Sequence, residues 1–215
     1  GSKYRYSDLG FILLGDIAAR AGGKPLARLE RELVFAPLGM KETRRNPPAF
    51  LKKRIPPTEF DPEKKSYIHG RVHDENARAA GGITGHAGLF STTGDLSLLA
   101  RELLLALKGK SRKLRQKTIE SFVRCQDSPK GSSRALGWDT PSGESSAGEL
   151  ASRVSFGHTG FTGTSIWIDP ERDLYFILLS NRVHPSRKNS KLGDVRRKFA
   201  DAVVAAVDAT GRKKP

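Results

Sequence analysis

The chain has 215 residues, 37% of them hydrophobic, which suffices for one medium-sized core, and it contains no apolar run long enough to cross a membrane. Thirty-eight Lys and Arg against 23 Asp and Glu leave a formal charge of +15. Such an excess steers anionic partners or substrates towards the surface and otherwise describes a solvated basic exterior. A lone cysteine, Cys125, excludes an internal disulfide framework and is expected to pack as a small apolar residue. No signal-peptide pattern is visible, so the expectation for the chain as it stands is cytoplasmic.

In chain order, Tyr6 to Ala21 reads as a helix with Ser7 as N-cap, Leu9, Ile12, Leu13 and Ile17 as its apolar set, and Gly22-Gly23 as its stop. A second, short helix is expected from Pro25 to Val34, ending in the loop Ala36-Pro37-Leu38-Gly39-Met40. From Lys41 to about Gly88 prolines interrupt any periodicity, and long irregular stretches inside a folded domain are often functional. This stretch carries His69, His73, Asp74, Glu75 and His86 among glycines.

Thr92-x-x-Asp95 has the form of a capping box and opens an amphipathic helix to about Leu107. A basic loop and another helix follow, ending near Cys125. Residues 127 to 149 read as a surface loop anchored by Trp138. Strand character runs from about Arg153 to Ile168, turns at Asp169-Pro170-Glu171-Arg172-Asp173, and returns along Leu174 to Ser180. A last helix, Leu192 to Val207, places Leu192, Val195, Phe199 and Val203 on one face, ahead of the basic tail Arg212-Lys213-Lys214.

Within the strand region, Gly157 to Asp169 combines glycines, His158, Thr159 and Thr162 with an apolar alternation, the make-up of an active-site wall. Four ordered motifs carry a resemblance. They are Tyr6-Ser7-Asp8-Leu9-Gly10, Pro37-Leu38-Gly39-Met40-x-x-Thr43, Gly88-Leu89-Phe90-Ser91-Thr92-x-x-Asp95-Leu96 and His158-Thr159-Gly160. In this order the chain resembles the later part of the serine β-lactamase and penicillin-binding-protein-like hydrolases, in their class C β-lactamase and esterase branch.

The resemblance implies an α/β (α+β) fold, an antiparallel sheet flanked by helices, over residues 1–215 as a single truncated β-lactamase-like domain completed by dimerisation. It also implies that Tyr6 is a proton carrier and that His158, Thr159 and Gly160, with Thr162 beyond them, line the substrate side. Asp8, which stands where the family's Tyr-x-Asn element has an amide, is counted with Tyr6 and His158 among the catalytic groups the resemblance implies. No serine here is followed three residues later by lysine, so the family's Ser-x-x-Lys nucleophile has no counterpart in these residues.

With that nucleophile missing, acyl-enzyme chemistry is not expected from these residues alone. One expectation is therefore a metal-dependent hydrolase in which Zn²⁺ or Mn²⁺ activates water against carboxylic or phosphoric esters, with no organic cofactor. Its ligands would be His73, His86 and His158, with Asp74 beside them. His69 ranks lower, because on an extended chain it would lie about 13 Å from His73. The same groups fit a structural reading, with histidines satisfying loop carbonyls. The alternatives are an inactive fragment of a serine esterase or β-lactamase that needs an N-terminal Ser-x-x-Lys segment, and a basic nucleic-acid binder using clusters at 108–117 and 187–198. The expected partners are a small, anionic ester substrate and a second copy of the chain.

Overall fold

Ser7 is extended (φ −148°), and α1 begins directly after it, spanning Asp8–Gly22 and ending at Gly23 in the left-handed region. The computed structural model describes residues 2–143 and 145–211, so the basic tail at 212–214 lies outside the described residues. Two compact units emerge, the first from Arg5–Leu98 with Asn181–Lys188, the second from Leu99–Ser180 with the described residues of 2–4 and 189–211.

In the first unit α2 (Leu26–Glu30) does not stop at Val34 but passes through a wide π turn, Arg31–Phe35, into α3 (Ala36–Leu38). The wide turn ends two residues before Pro37, which lacks the N–H that an ordinary helical ladder requires. The stretch expected to be irregular contains short regular pieces. β1 (Arg44–Arg45) pairs antiparallel with β4 (Leu89–Phe90), and β2 (Phe60–Asp61) pairs with β3 (Ser66–Tyr67). Between β3 and β4, α4 (Glu75–Ala79) is capped by Asp74, whose carboxylate accepts a hydrogen bond from the Ala77 N–H. Phe35, Leu38, Met40, Ile68, Val72, Ala77 and Val183 are the unit's buried apolar residues.

α1 meets the loop before β4 through backbone rather than side chains. A methyl group on Gly85 would sit 2.0 Å from the Phe11 carbonyl oxygen, and one on Gly15 would sit 2.8 Å from the Gly85 nitrogen. Only two residues without Cβ allow this approach.

α5 spans Thr93–Leu107. The Thr92 hydroxyl does accept from the Asp95 N–H (3.2 Å), but the capping box is not reciprocal. The buried Asp95 carboxylate instead accepts from the Glu42 N–H and the Thr43 hydroxyl, at 2.8 and 2.7 Å. Asp95 thus ties a loop some fifty residues earlier, an attachment that local spacing cannot reveal.

In the second unit α6 (Gln116–Val123) follows the basic loop, and Cys125 is exposed rather than packed. The sheet is antiparallel in the order β5 (Phe156–Thr159), β6 (Thr164–Asp169), β7 (Leu174–Leu179). The strand expected as continuous is broken after Thr159, because the Gly160 N–H bonds the Thr164 carbonyl (2.7 Å) and closes a tight turn. Phe156 and Ile168 pack with Ala100, Leu103 and Leu104 of α5 on one side of the sheet. Trp167 and Phe176 pack with Ala200 and Val204 of α7 (Leu192–Ala209) on the other. Of the expected face of α7, Leu192, Phe199 and Val203 turn inward around Ala200 and Val204, while Val195 is 49% exposed. Small Ala200 lets the helix lie close to the Trp167 ring. Trp138 meets Phe156 edge-on at 5.2 Å, the anchoring expected of it.

Asp169 ends β6 completely buried. It accepts from the Ser152 hydroxyl (2.6 Å), the Ser152 N–H (3.1 Å) and the Arg172 guanidinium (3.0 Å), so its charge is matched where it is buried.

The Gly15–Gly85 approach yields a test. Gly85→Ala should destabilise the full chain by about 1–3 kcal/mol through overpacking, with α1 the most affected element. Thermal unfolding followed by circular dichroism, with amide exchange in α1, measures it; an unchanged midpoint and unchanged exchange would show that helix and loop can separate at no cost.

Candidate functional site

In the first unit, Tyr6 lies just ahead of α1 and is 57% exposed, and Asp8 is the first helical residue. The helix end brings Asp8 to two residues far along the chain. One carboxylate oxygen from Asp8, one from Asp74 and a ring nitrogen of His86 all lie within 4.8 Å of one another. His86 Nε2 is 2.8 Å from Asp74 Oδ1, and its Nδ1 is 2.9 Å from the Thr84 hydroxyl. Burial pushes the Asp74 carboxyl up, but the Ala77 N–H and the His86 ring outweigh it and hold the group below its ordinary value.

The zinc set expected from sequence is not assembled as a whole. Asp74 and His86 do come together, but His73 and His69 have other partners. His73 is buried with Nε2 3.1 Å from the Glu59 carboxylate, which also accepts from the Arg187 side chain at 2.6 Å. Arg187 reaches Glu75 as well, so a basic residue taken as surface charge is built into a network. His69 donates from Nε2 towards the Ile55 carbonyl (2.7 Å), the structural role open to a loop histidine. Among the described residues, the only three-member set within metal-binding reach adds Asp8, which the sequence reading placed among catalytic groups.

Two further motifs are placed in the first unit. Phe90, Ser91 and Thr92 line a cavity of about 140 Å³ together with Arg44 and Arg54. The Thr43 and Ser91 hydroxyls lie 2.7 Å apart, so the Pro37-to-Thr43 loop and the Gly88-to-Thr92 segment meet directly.

The second unit holds His158 on β5. It pairs with Ile166, shares the sheet face of Phe156, Ile166 and Ile168, and is partly buried. The neighbouring Gly157 pairs with Trp167 on the next strand, and a methyl there would lie 2.4 Å from the Trp167 ring. His158 Nδ1 is 2.8 Å from the Thr159 carbonyl oxygen. Thr159 ends the strand, whereas Gly160 and Thr162 sit in the turn to β6. That turn is held by a residue the sequence reading missed. Arg196 of α7 donates to the Gly160 and Thr164 carbonyls, at 2.8 and 2.6 Å. Its basic neighbours hid it, because Arg196-Arg197-Lys198 reads as a surface charge cluster.

The Beta-lactamase family profile matches residues 1–201. A relative from Escherichia coli (strain K12), named "Putative D-alanyl-D-alanine carboxypeptidase", is 36% identical over 202 residues, covering 86% of this chain and 46% of the relative. The chain thus spans about half the length of the curated relatives it matches. A crystal structure of a β-lactamase from Mycobacterium bovis superposes with a TM-score of 0.68 at 22% identity, over 96% of this chain and 65% of that one. A β-lactamase/D-alanine carboxypeptidase from Yersinia pestis gives a TM-score of 0.63 at 26% identity, over 94% and 55%. With the motifs in order, a family profile spanning nearly every residue and the mixed antiparallel fold in common, the chain belongs to the β-lactamase family.

Proposed function

We propose that this chain is the tyrosine- and His-Thr-Gly-bearing part of a serine acyl-transfer hydrolase, acting on peptides that end in D-alanyl-D-alanine or on carboxylic esters. The substrate class is taken from the names its relatives carry. The observation that carries the reading is the state of His158. A carbonyl oxygen can only accept, so the bond to Thr159 puts the hydrogen on Nδ1 and leaves Nε2 of the neutral ring as a proton acceptor. Burial, the largest influence, pushes the His158 pKa below its ordinary value of 6.5 and keeps the ring neutral. A neutral imidazole with one defined basic nitrogen suits general acid–base work on a strand edge.

In this reading Tyr6 relays a proton, the His158-Thr159-Gly160 edge orients the substrate, and the attacking serine with its lysine comes from polypeptide outside these 215 residues. The exposed face of α1 supports further polypeptide: Leu9, Leu13, Leu14 and Ile17 are each 55–66% exposed. An unbroken apolar stripe of that kind is normally covered. A second copy of the chain is the competing occupant of that face. Metal-activated water in place of the serine has less behind it, since His69 and His73 are engaged elsewhere.

Joining the chain to the preceding half of the Escherichia coli relative tests the reading. The chimera should hydrolyse a nitrophenyl ester or release D-alanine, should be labelled by a serine-directed inhibitor, and should lose on the order of 10²-fold or more with Tyr6→Phe. Turnover by the lone chain, unlabelled by such inhibitors, would sink it.

The His158 ring gives a second test. Below pH 6.5 the unfolded chain takes up a proton that the folded ring resists. Its contribution to stability is therefore full above pH 6.5 and is lost as pH falls towards the lower folded value. His158→Gln should flatten that acid-side decline in Tm. The ring-proton NMR titration of the folded protein should have its midpoint below 6.5; a midpoint at or above it would contradict the assignment.

A further inference from the structure

We propose that Asp8, Asp74 and His86 bind one divalent metal ion of the Zn²⁺ class, leaving coordination positions open to water or an oxygen ligand. Three donor atoms from three separate elements converge here, all within 4.8 Å of one another. Tetrahedral ligands at bond lengths of about 2.1 Å lie roughly 3.4 Å apart, so the set closes on an ion with about an ångström of adjustment. The exposed Asp8 side chain on the first turn of α1 supplies that freedom. His86 and Asp74 are already 2.8 Å apart.

The imidazole is held as metal ligands are held. Its side chain is only 4% exposed, and Nδ1 meets the Thr84 hydroxyl at 2.9 Å, which directs Nε2 at the carboxylates. The Thr84 hydroxyl also points its hydrogen at the Ala87 carbonyl, 3.3 Å away. Asp74 can only accept, so the 2.8 Å contact puts a hydrogen on Nε2, and the Thr84 hydroxyl oxygen can accept from Nδ1 once an ion displaces that hydrogen. An ion between them then takes the place of a proton, with Thr84 as the partner that orients the ring. Asp74 is fixed by the Ala77 N–H, and the α1 end is set by the Gly15–Gly85 approach.

Donor chemistry selects the ion. One imidazole and two carboxylates suit Zn²⁺, with Mn²⁺ next, whereas Ca²⁺ and Mg²⁺ favour all-oxygen sets and Cu(I) favours sulfur. Two carboxylates in close range also repel each other, and a dication removes that repulsion. A consequence rests on the acyl-transfer reading, although the site does not. Where the family has an amide able to donate, Asp8 is an anion, and a metal ion on it would restore a positive centre facing a substrate carboxylate or carbonyl.

The test reads ion binding and needs no activity. The full chain, free of any affinity tag and stripped with EDTA, is titrated with zinc sulfate by calorimetry and then analysed for metal. The expected result is one Zn²⁺ per chain. Asp8→Asn, at an exposed position that should not disturb folding, and His86→Gln should each weaken binding by at least the roughly tenfold typical of losing even an outer-shell partner. His69→Gln should leave it unchanged. Circular dichroism of Asp8→Asn establishes that it is folded. Absence of zinc binding, undiminished binding by folded Asp8→Asn, or an equal loss in His69→Gln would overturn the proposal.

Discussion

The first unit depends on the contact of two glycines. Gly15 in the middle of α1 and Gly85 in the loop before β4 approach so closely that a single methyl on either would collide with backbone. This close seat sets where α1 starts relative to the loop, and hence where Asp8 lies relative to His86. A helix resting on bulky side chains could slide or rotate as they repack. One resting on backbone has little room to do either. The Asp8–Asp74–His86 cluster is thus a consequence of packing, assembled from residues up to 78 positions apart in sequence.

The second unit is organised by a different constraint, a three-stranded sheet covered on both faces. β6 carries Ile166 and Ile168 towards α5 and Trp167 towards α7, so neither face of the strand is left to water. Gly157 is the cost of accommodating the Trp167 ring on the neighbouring strand. The burial that supports this sheet also desolvates His158 and keeps its ring neutral. Packing and chemistry are linked here through one residue: the environment that secures the strand defines the protonation state of its histidine.

Several charged residues show the same economy. Arg196 and Arg187 would each count as surface charge by composition, yet Arg196 ties the β5–β6 turn through two carbonyls and Arg187 joins Glu59 and Glu75. Asp95 reads as a helix cap and serves instead as an anchor for Glu42 and Thr43. Long side chains can reach partners far from their own backbone, so the local sequence around them says little about where they end.

Local signals were legible where the physics is local. Ser7 precedes α1 without a side-chain capping bond and left-handed Gly23 ends it, the apolar alternation of Ile166 to Ile168 marks a strand, and the Asp169-to-Asp173 turn joins it to β7. Ordered motifs made the family legible as well. The exposure of Val195 and of Cys125, the break at Gly160 and the approach of Asp8 to His86 were not legible. Each depends on which distant surface docks against the residue, and hydrophobic period or residue spacing carries no information about that. By itself, then, the sequence determined the elements, their order and the kinship; the tertiary structure decided which side chains meet, because those meetings are set by close packing between segments that the chain separates by dozens of residues.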